Sequence, residues 1–576
     1  MKAVLGIHVG HDASICLSID GSIILAIQEE RFTRIKNHTG FPFKSLAVIK
    51  TYLRNNSIDK ISLALAQNKL TKDLDISLPV LISRLIRNKY PRILNKLIYL
   101  IGKFYDLFLK NSSISEFIWR KALILRISKI LERDVTEAEF FDHHKCHAAS
   151  AAYSSNFKNC VVFTQDGKGD FMSGSAWYFN GGKLKNIYYQ KEEDSIGQIY
   201  AEVTRFLGFQ PNRHEGKVTG LAATGDPRIY KDIFDELIKL DNKGKIIRIN
   251  KFKNYNYQAK FLQKIFANKL DKSSKSNVAA GVQYSIEKIF LYHLNKTLNK
   301  PSNIALAGGL FANVKINQEI RNSKKCKNLY VQPAMSDCGL SMGAAQLFNN
   351  LKDIKNITQE SALLGTSYPK DYILGILRIL KLDFTWHELE HDVFFDIASE
   401  INKGKIIGLF QGRMEWGPRA LSSRSILANP KNKEINNELN RRLNRSDFMP
   451  FAPVVIEDDM RDLFLDWKEN DKTAEYMTST YNVNTKYQNL ISAVVHVDKT
   501  ARPQIVSKIK YPFLYKVLKE IKKLSGVGVA INTSFNLHEE PIVESPNDAL
   551  VALKKNAVDI LYFGSLRVTL KKEKNN

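Results

Sequence analysis

The sequence predicts an α/β protein made of two related lobes facing a common cleft, followed by a second domain of different character. Three observations predict it. A strand, polar turn, strand, tight turn, strand unit occurs at residues 3–28 and again at 159–190. Helical stretches separate and follow these two copies. Around residues 352–371 the chain passes through a polar stretch into a region of arginines set between short strands and turns.

The first copy opens with AVLGIHV, an apolar run that reads as a buried strand. The polar turn GHDAS follows, then ICLSID and SIILAIQ, joined by Asp20-Gly21, a hairpin signal. In the second copy CVVFTQD is the strand and GKGD the polar turn, with SGSAWYFN and LKNIYY joined by Gly181-Gly182. Such turns would point into the cleft, where backbone N–H groups can approach phosphate.

Between the copies, residues 69–133 repeat apolar positions at helical spacing with Lys and Arg on the other faces. This predicts a basic helical subdomain capping the first lobe, or a surface that meets an acidic membrane or a lipid-linked acceptor. Pro91 breaks the run into more than one helix.

The stretch DHHKCHAASAAYSS at the end of this insertion carries the first chemistry. Asp142 is a natural N-cap for an Ala-rich helix. His143 and His147, at i and i+4, share one face and can grip one metal ion. Spacing alone does not separate that reading from two ordinary polar residues at a helix start. His144 and Cys146 are rotated off that face and read as packing. Asp166, expected to end the first strand of the second copy, and Asp337, in a loop before a Gly/Ala-rich helix, are candidate third and fourth ligands. Two imidazoles and two carboxylates suit iron, zinc or manganese.

Nucleotide contact is suggested by HEGKVTGLA, with Lys217 at a helix start, and by AGGLFAN, where Gly308-Gly309 lie between a strand and a helix. In the last region Arg413, Arg419, Arg424 and Arg502 lie beside Gly-Pro or Arg-Pro turns, and Asn532, Thr533, Ser534 and Asn536 at a strand end. Arginine binds phosphate and carboxylate bidentately, so this reads as an anion basin.

The bulk numbers set limits. The 576 residues suffice for two or more domains, and 44% hydrophobic with 25% charged residues is the balance of a globular protein. Five scattered cysteines without a CxxC pair exclude a disulfide framework and a cysteine-only zinc site. The first apolar run is too short for a secretory signal and no run spans a bilayer, so the expected location is the cytoplasm. The net charge of +26 attracts nucleic acid, acidic membranes or phosphorylated substrates, but is also what Lys-rich compositional drift produces.

With GHDAS, QEERFTRIK, DHHKCHAASA, HEGKVTGLA, AGGLFAN, SDCGLSMGAA, GRMEWGPRAL, TARPQ and INTSFN in this order, the chain resembles the NodU/CmcH family of ATP-dependent O-carbamoyltransferases over nearly its whole length. The resemblance implies an actin-like N-terminal domain (ASKHA type, duplicated RNase H-like lobes) over residues 1–355. A linker at 356–394 and an α+β YrdC-like domain at 395–576 would follow. It implies that the C-terminal domain activates carbamoyl phosphate with ATP and Mg²⁺ to carbamoyl adenylate, and that the N-terminal domain passes the carbamoyl group to a hydroxyl. His143, His147, Asp166 and Asp337 match the metal ligands, with Fe²⁺ the expected ion. His11 matches the general base, and Lys36 a contact to carbamoyl adenylate, with Asp166, Gly197, Lys217, Gly308 and Gly309 beside the nucleotide. Arg419, Arg445, Arg502, Asn532 and Ser534 fall on the carbamoyl phosphate and ATP basin.

The chain departs from the pattern in places. Leu443 or Asn444, and Met449, stand where many relatives carry Lys and a later Arg, with Arg441, Arg442 or Arg445 available instead. Glu539 stands for a usual Gly, and Ser422-Ser423 for a Gly-containing turn. The expected acceptor is a sugar-like hydroxyl on a glycan, lipid-linked saccharide or natural product, with no nucleic-acid partner. Membrane contact and a homodimer stay open. RNA carbamoylation of the threonylcarbamoyl type is the alternative enzyme, and a non-catalytic binding protein on a degenerate actin-like fold the alternative class.

Overall fold

Each repeated unit folds into its own five-stranded sheet, and the two sheets share one topology. The computed structural model describes residues 2–67, 113–249, 274–357, 361–390, 392–444 and 451–571. In the first lobe Ala3–His8 (β1), Ser14–Ile19 (β2), Ser22–Gln28 (β3), Lys60–Leu65 (β4) and Asp134–Phe140 (β5) lie in the order β3-β2-β1-β4-β5. β1, β2 and β3 are antiparallel neighbours, whereas β4 pairs parallel with β1 and with β5.

The second lobe repeats this. Asn159–Gly169 (β6), Met172–Asn180 (β7) and Lys183–Lys191 (β8) form the antiparallel part, and a small ribbon of Ile238–Leu240 (β9) and Ile246–Arg248 (β10) lies apart. Ser302–Ala307 (β11) and Cys326–Val331 (β12) complete the order β12-β11-β6-β7-β8, with β11 parallel to both β6 and β12. Two sheets of one connectivity in one chain are the duplicated RNase H-like arrangement of an actin-like domain.

The turns explain the shared register. Asp20 and Gly21 sit at φ 47° and 85°, and Gly181 and Gly182 at 55° and 86°. Two successive left-handed residues give the type I′ turn that matches strand twist. One expectation needs correction. β6 does not stop at Asp166 but runs to Gly169, with its register slipping after Gln165, and the turn is Asp170-Phe171. The slip frees Asp166 from the ladder between the pairs Gln165–Gly174 and Gly169–Met172.

Between the sheets lie two helices, His143–Ser154 and Leu340–Leu351, in which nearly every residue is buried. Small side chains, Ala148, Ala149, Ala151, Ala344 and Ala345, let them pack closely with Cys16, Cys146 and Cys338. Of the basic insertion, residues 69–112 lie outside the described residues. The rest is the helix Ser113–Leu131, whose Trp119, Leu123, Ile127 and Leu131 pack on the first sheet. Among the described residues no helix is long and apolar enough to cross a membrane.

The C-terminal region is α+β, with eight strands in one mixed sheet: Phe384–Glu388 (β13), Ile407–Phe410 (β14), Arg424–Ala428 (β15), Ala452–Ile456 (β16), then, after the two-residue pair Tyr481–Asn482 (β17) and Thr500–Ala501 (β18), Gln504–Val506 (β19), Val529–Ser534 (β20), Ile560–Phe563 (β21) and Leu566–Leu570 (β22). The order is β13-β22-β21-β14-β15-β20-β16-β19. Within the stretch 356–394, Ile357 and Leu364 bond to Gly21 and Ala26 of the first lobe, whereas the helix Lys370–Ile379 and the edge strand β13 are built into the C-terminal region.

Candidate active site across two half-sites

The helix His143–Ser154 begins where Asp142 accepts a hydrogen bond from the Lys145 backbone N–H at 2.8 Å. Asp170 Oδ2 accepts from the His143 N–H at 2.9 Å, so the turn after β6 fixes the helix start. From there both imidazoles reach the loops of the second lobe. His147 Nε2 lies 3.1 Å from Asp166 Oδ2 and 3.5 Å from Asp337 Oδ1. His143 Nε2 lies 3.6 Å and 3.5 Å from the same two atoms. One ligand atom from each of the four residues falls within 4.8 Å of every other. His144 turns away to Thr164 Oγ1 at 3.0 Å, and Cys146 is packed in the core.

The electrostatics of this cluster suit a cation. Burial opposes ionisation of Asp166, yet the His143 and His147 imidazoles beside it hold it well below the usual carboxylate range. Burial and the Asp166 charge drive Asp337 well above it. Two carboxylates forced together in a buried place cannot both ionise without added positive charge. His143 Nε2 is buried with no hydrogen-bond partner. A divalent ion among these four atoms would satisfy both conditions, so the donor set fits a borderline metal.

Glycines shape the approach. A Cβ at Gly308, whose φ is 106°, would come within 2.2 Å of the Gln165 carbonyl oxygen. A Cβ at Gly197 would lie 2.9 Å from the Asp166 carbonyl oxygen, and one at Gly309 3.1 Å from Asp166 Oδ1. Gly197 and Gly309 therefore border Asp166 itself, and Gly308 the residue before it. Lys217 lies on the helix Glu215–Ala222 with its ammonium 5.8 Å from the Phe209 ring centroid.

His11 stands at the mouth of the cleft. Its Nδ1 lies 3.8 Å from Asp12 Oδ2, and its side chain is 42% exposed, open enough to meet a substrate. Asp12 is held by Asn37 Nδ2 and Ser336 Oγ, each donating at 2.9 Å. Burial opposes protonation of His11, but Asp12, Asp337, Asp166 and Glu30 together raise its pKa above the ordinary 6.5.

Lys36 follows the short helix Glu29–Thr33 (α1), and its carbonyl accepts from Arg213 Nη2 at 2.8 Å. Arg213 and His214 also pair with Glu539 at 3.2 Å and 3.0 Å. Lys36 adds its field to that carboxylate. Arg213 carried no motif signal; its role depends on a partner 326 residues away.

In the C-terminal region the arginines separate into two kinds. Arg413 donates to the Gly365, Leu364 and Ile24 carbonyls. Arg424, fully buried, lies 3.5 Å over the Phe410 ring and donates to the carbonyls of Gln411, Gly412, Ser423 and Thr366. Both tie backbone together, a correction to reading them as basin residues. Arg419 and Arg502 differ. Burial pushes Arg419 down to about 10, and burial plus the Arg419 charge holds Arg502 well below the arginine range. Two desolvated guanidiniums repelling each other are what a bound polyanion would neutralise. Arg419 Nη2 also donates to the Ala312 carbonyl at 3.3 Å, beside the Gly308-Gly309 loop.

Asn532 Nδ2 donates to the Ala420 carbonyl at 3.1 Å and to Gln504 Oε1 at 2.8 Å. It thereby joins the loops carrying Arg419 and Arg502. Ser534 ends β20 opposite Ser425, and Arg445 lies outside the described residues. Gln504, unmarked beforehand, is the buried hub here, since its Oε1 also accepts from Ser422 Oγ at 2.9 Å.

Comparison with known proteins divides the chain into two matched regions. Residues 3–346 match the family described as "Carbamoyltransferase N-terminus", and residues 398–570 match "Carbamoyltransferase C-terminus". The chain is 31% identical to the uncharacterized protein MJ1058 of Methanocaldococcus jannaschii, covering 98% of each. It is 30% identical to nodulation protein NolNO of Sinorhizobium fredii, over 96% of this chain and 78% of that one. Among solved structures, full-length HypF in its phosphate- and nucleotide-bound form aligns with 31% of this chain and 22% of its own, at 17% identity and a TM-score of 0.24. With both family regions present in their order and relatives matched along its length, the chain is an enzyme of the carbamoyltransferase family.

Proposed function

We propose that the enzyme activates carbamoyl phosphate with ATP in its C-terminal basin and transfers the carbamoyl group to a sugar-like hydroxyl in the N-terminal cleft. The observation that carries this is the Arg419–Ala312 contact, which sets the paired arginines against the glycine loop bordering Asp166. Activation balances as two steps. Water cleaves carbamoyl phosphate to carbamate and phosphate. A carbamate oxygen then attacks the α-phosphorus of Mg²⁺-ATP, breaking its bond to the bridging oxygen and releasing pyrophosphate to leave carbamoyl adenylate.

Arg419 and Arg502 bind the phosphates and offset the repulsion between two polyanions. Gly308, Gly309 and Gly197 leave room for backbone to approach the adenylate, with Lys36 and Lys217 as its cationic contacts. In the transfer step the acceptor oxygen attacks the carbamoyl carbon while His11 takes its proton, and AMP leaves. A divalent ion held by His143, His147, Asp166 and Asp337, iron being the one the family resemblance implies, would supply Lewis-acid polarisation and charge neutralisation.

The test is pyrophosphate release from ATP without acceptor. It should require carbamoyl phosphate and fall to background in Arg502→Ala. Release that is indifferent to carbamoyl phosphate would refute the proposal. Acceptor class can be searched by mass spectrometry for a carbamoyl mass increment on saccharides and glycosylated natural products.

A further inference from the structure

Helix α1 and its C-cap each carry an arginine, Arg31 and Arg34, that leaves its own lobe and grips the C-terminal region, at two separate places. Arg31 is 3% exposed. Its Nη2 donates to the Gly417 carbonyl at 2.7 Å and to Gln28 Oε1 at 3.0 Å, and that same Gln28 oxygen accepts from the Gly417 N–H at 3.3 Å. The Gly417 turn is thus held from both its donor and acceptor sides. It is also pressed on Pro333, since a Cβ at Gly417 would lie 2.7 Å from the Pro333 carbonyl oxygen. Two residues on is Arg419, the residue that faces both half-sites.

Arg34 reaches the other place. Its Nη1 donates to the Ile542 carbonyl and its Nη2 to the Pro541 carbonyl, both at 2.7 Å. Glu540 and Asp548 place carboxylates 3.8 Å and 3.7 Å from the same guanidinium. Arg213 and His214 hold Glu539 at the near end of that strap. On its inner side α1 is tied to the cleft, because Glu30 Oε2 accepts from the Asn37 N–H at 2.7 Å and Asn37 in turn holds Asp12. The short helix α1 together with its C-cap Arg34 therefore touches the His11 loop, the Lys36 segment, the arginine turn and the strap.

We propose that Arg31 and Arg34 are positioning residues that keep the C-terminal basin closed against the N-terminal cleft, so that the activated carbamoyl group stays bound between them until an acceptor arrives. This rests on the adenylate reading above. Charge-assisted hydrogen bonds to buried carbonyls contribute more than neutral ones, so losing either clamp should open an exit path. Neither arginine touches the atoms that react, and the chemistry of activation does not need them.

The experiment is a rapid-quench time course of pyrophosphate release by the full-length, metal-loaded protein with carbamoyl phosphate and Mg²⁺-ATP and no acceptor. The unsubstituted protein should release about one pyrophosphate per chain in a burst and then slow, the signature of a retained intermediate. In Arg34→Gln the slow phase should rise roughly tenfold while the first turnover keeps its rate, with carbamoyl adenylate or its breakdown product AMP in the filtrate. Arg31→Gln should do the same, with a control of thermal unfolding to show that the buried site still folds. Folded variants that keep the burst and the slow phase of the parent would overturn the proposal, as would linear release from the parent. Absence of any carbamoyl-phosphate-dependent pyrophosphate from the parent would instead remove the adenylate reading beneath it.

Discussion

Ser422 holds its hydroxyl 2.9 Å from Gln504 Oε1 while its backbone sits at φ 78°, a left-handed conformation that usually falls to glycine. The hydrogen bond stabilises a turn that serine would otherwise strain, and it fixes the loop between Arg419 and β15. Ser422→Gly should therefore be nearly neutral, within about 1 kcal/mol, as relieved strain offsets the lost bond. Gln504→Leu should destabilise the protein by roughly 2–4 kcal/mol, leaving Asn532 and Ser422 without their buried acceptor. Urea midpoints of the two variants measure this, and a Ser422→Gly loss as large as that of Gln504→Leu would contradict it.

Arg419 and Arg502 repel each other in a desolvated place. Arg502→Met should raise the stability of the unliganded protein by on the order of 1 kcal/mol while eliminating carbamoyl-phosphate-dependent pyrophosphate release. Differential scanning calorimetry beside the pyrophosphate assay tests both halves. A lower melting temperature in Arg502→Met would mean that the pair is not a source of strain.

His147→Ala removes one of four ligand atoms and should lower bound divalent metal at least roughly tenfold, read by elemental analysis after gel filtration. The C-terminal activation step should persist. Loss of both half-reactions together would refute the division of labour between the two regions.

The His11 pKa is raised, so protonation of His11 contributes stability that is present below 6.5 and is lost as pH rises through the raised value. Its neutral, proton-accepting form accumulates above that value, so carbamoyl transfer should climb on the alkaline side. Asp12→Asn removes the foremost of the carboxylates that raise it and should move the inflection to lower pH. The rate of His11 modification by diethyl pyrocarbonate against pH, followed by mass spectrometry, reports that shift without an acceptor. An inflection unmoved in Asp12→Asn would show that Asp12 does not control it.

The sequence by itself determined what is local. Two hairpins with paired left-handed turns, an N-capped helix with imidazoles one turn apart, and glycines beside a strand end are each set by neighbours within a few residues, which periodicity and turn chemistry report. Asp337 and the His pair could be assigned to one cluster because their motifs match one family in order, not because spacing joins them. Only the tertiary structure decided which arginines face a ligand. Arg413, Arg419 and Arg424 look alike in the chain, and what separates them is how much of each guanidinium backbone carbonyls already take up: Gly365, Leu364 and Ile24 for Arg413, Gln411, Gly412, Ser423 and Thr366 for Arg424, and Ala312 for Arg419. The same holds for Asp166, whose place in a register slip rather than at a strand end depends on β7, and for Arg31 and Arg34, whose partners Gly417, Pro541 and Ile542 lie in the C-terminal region. Long-range packing fixes which polar groups are satisfied by protein, and so which remain for substrate and metal.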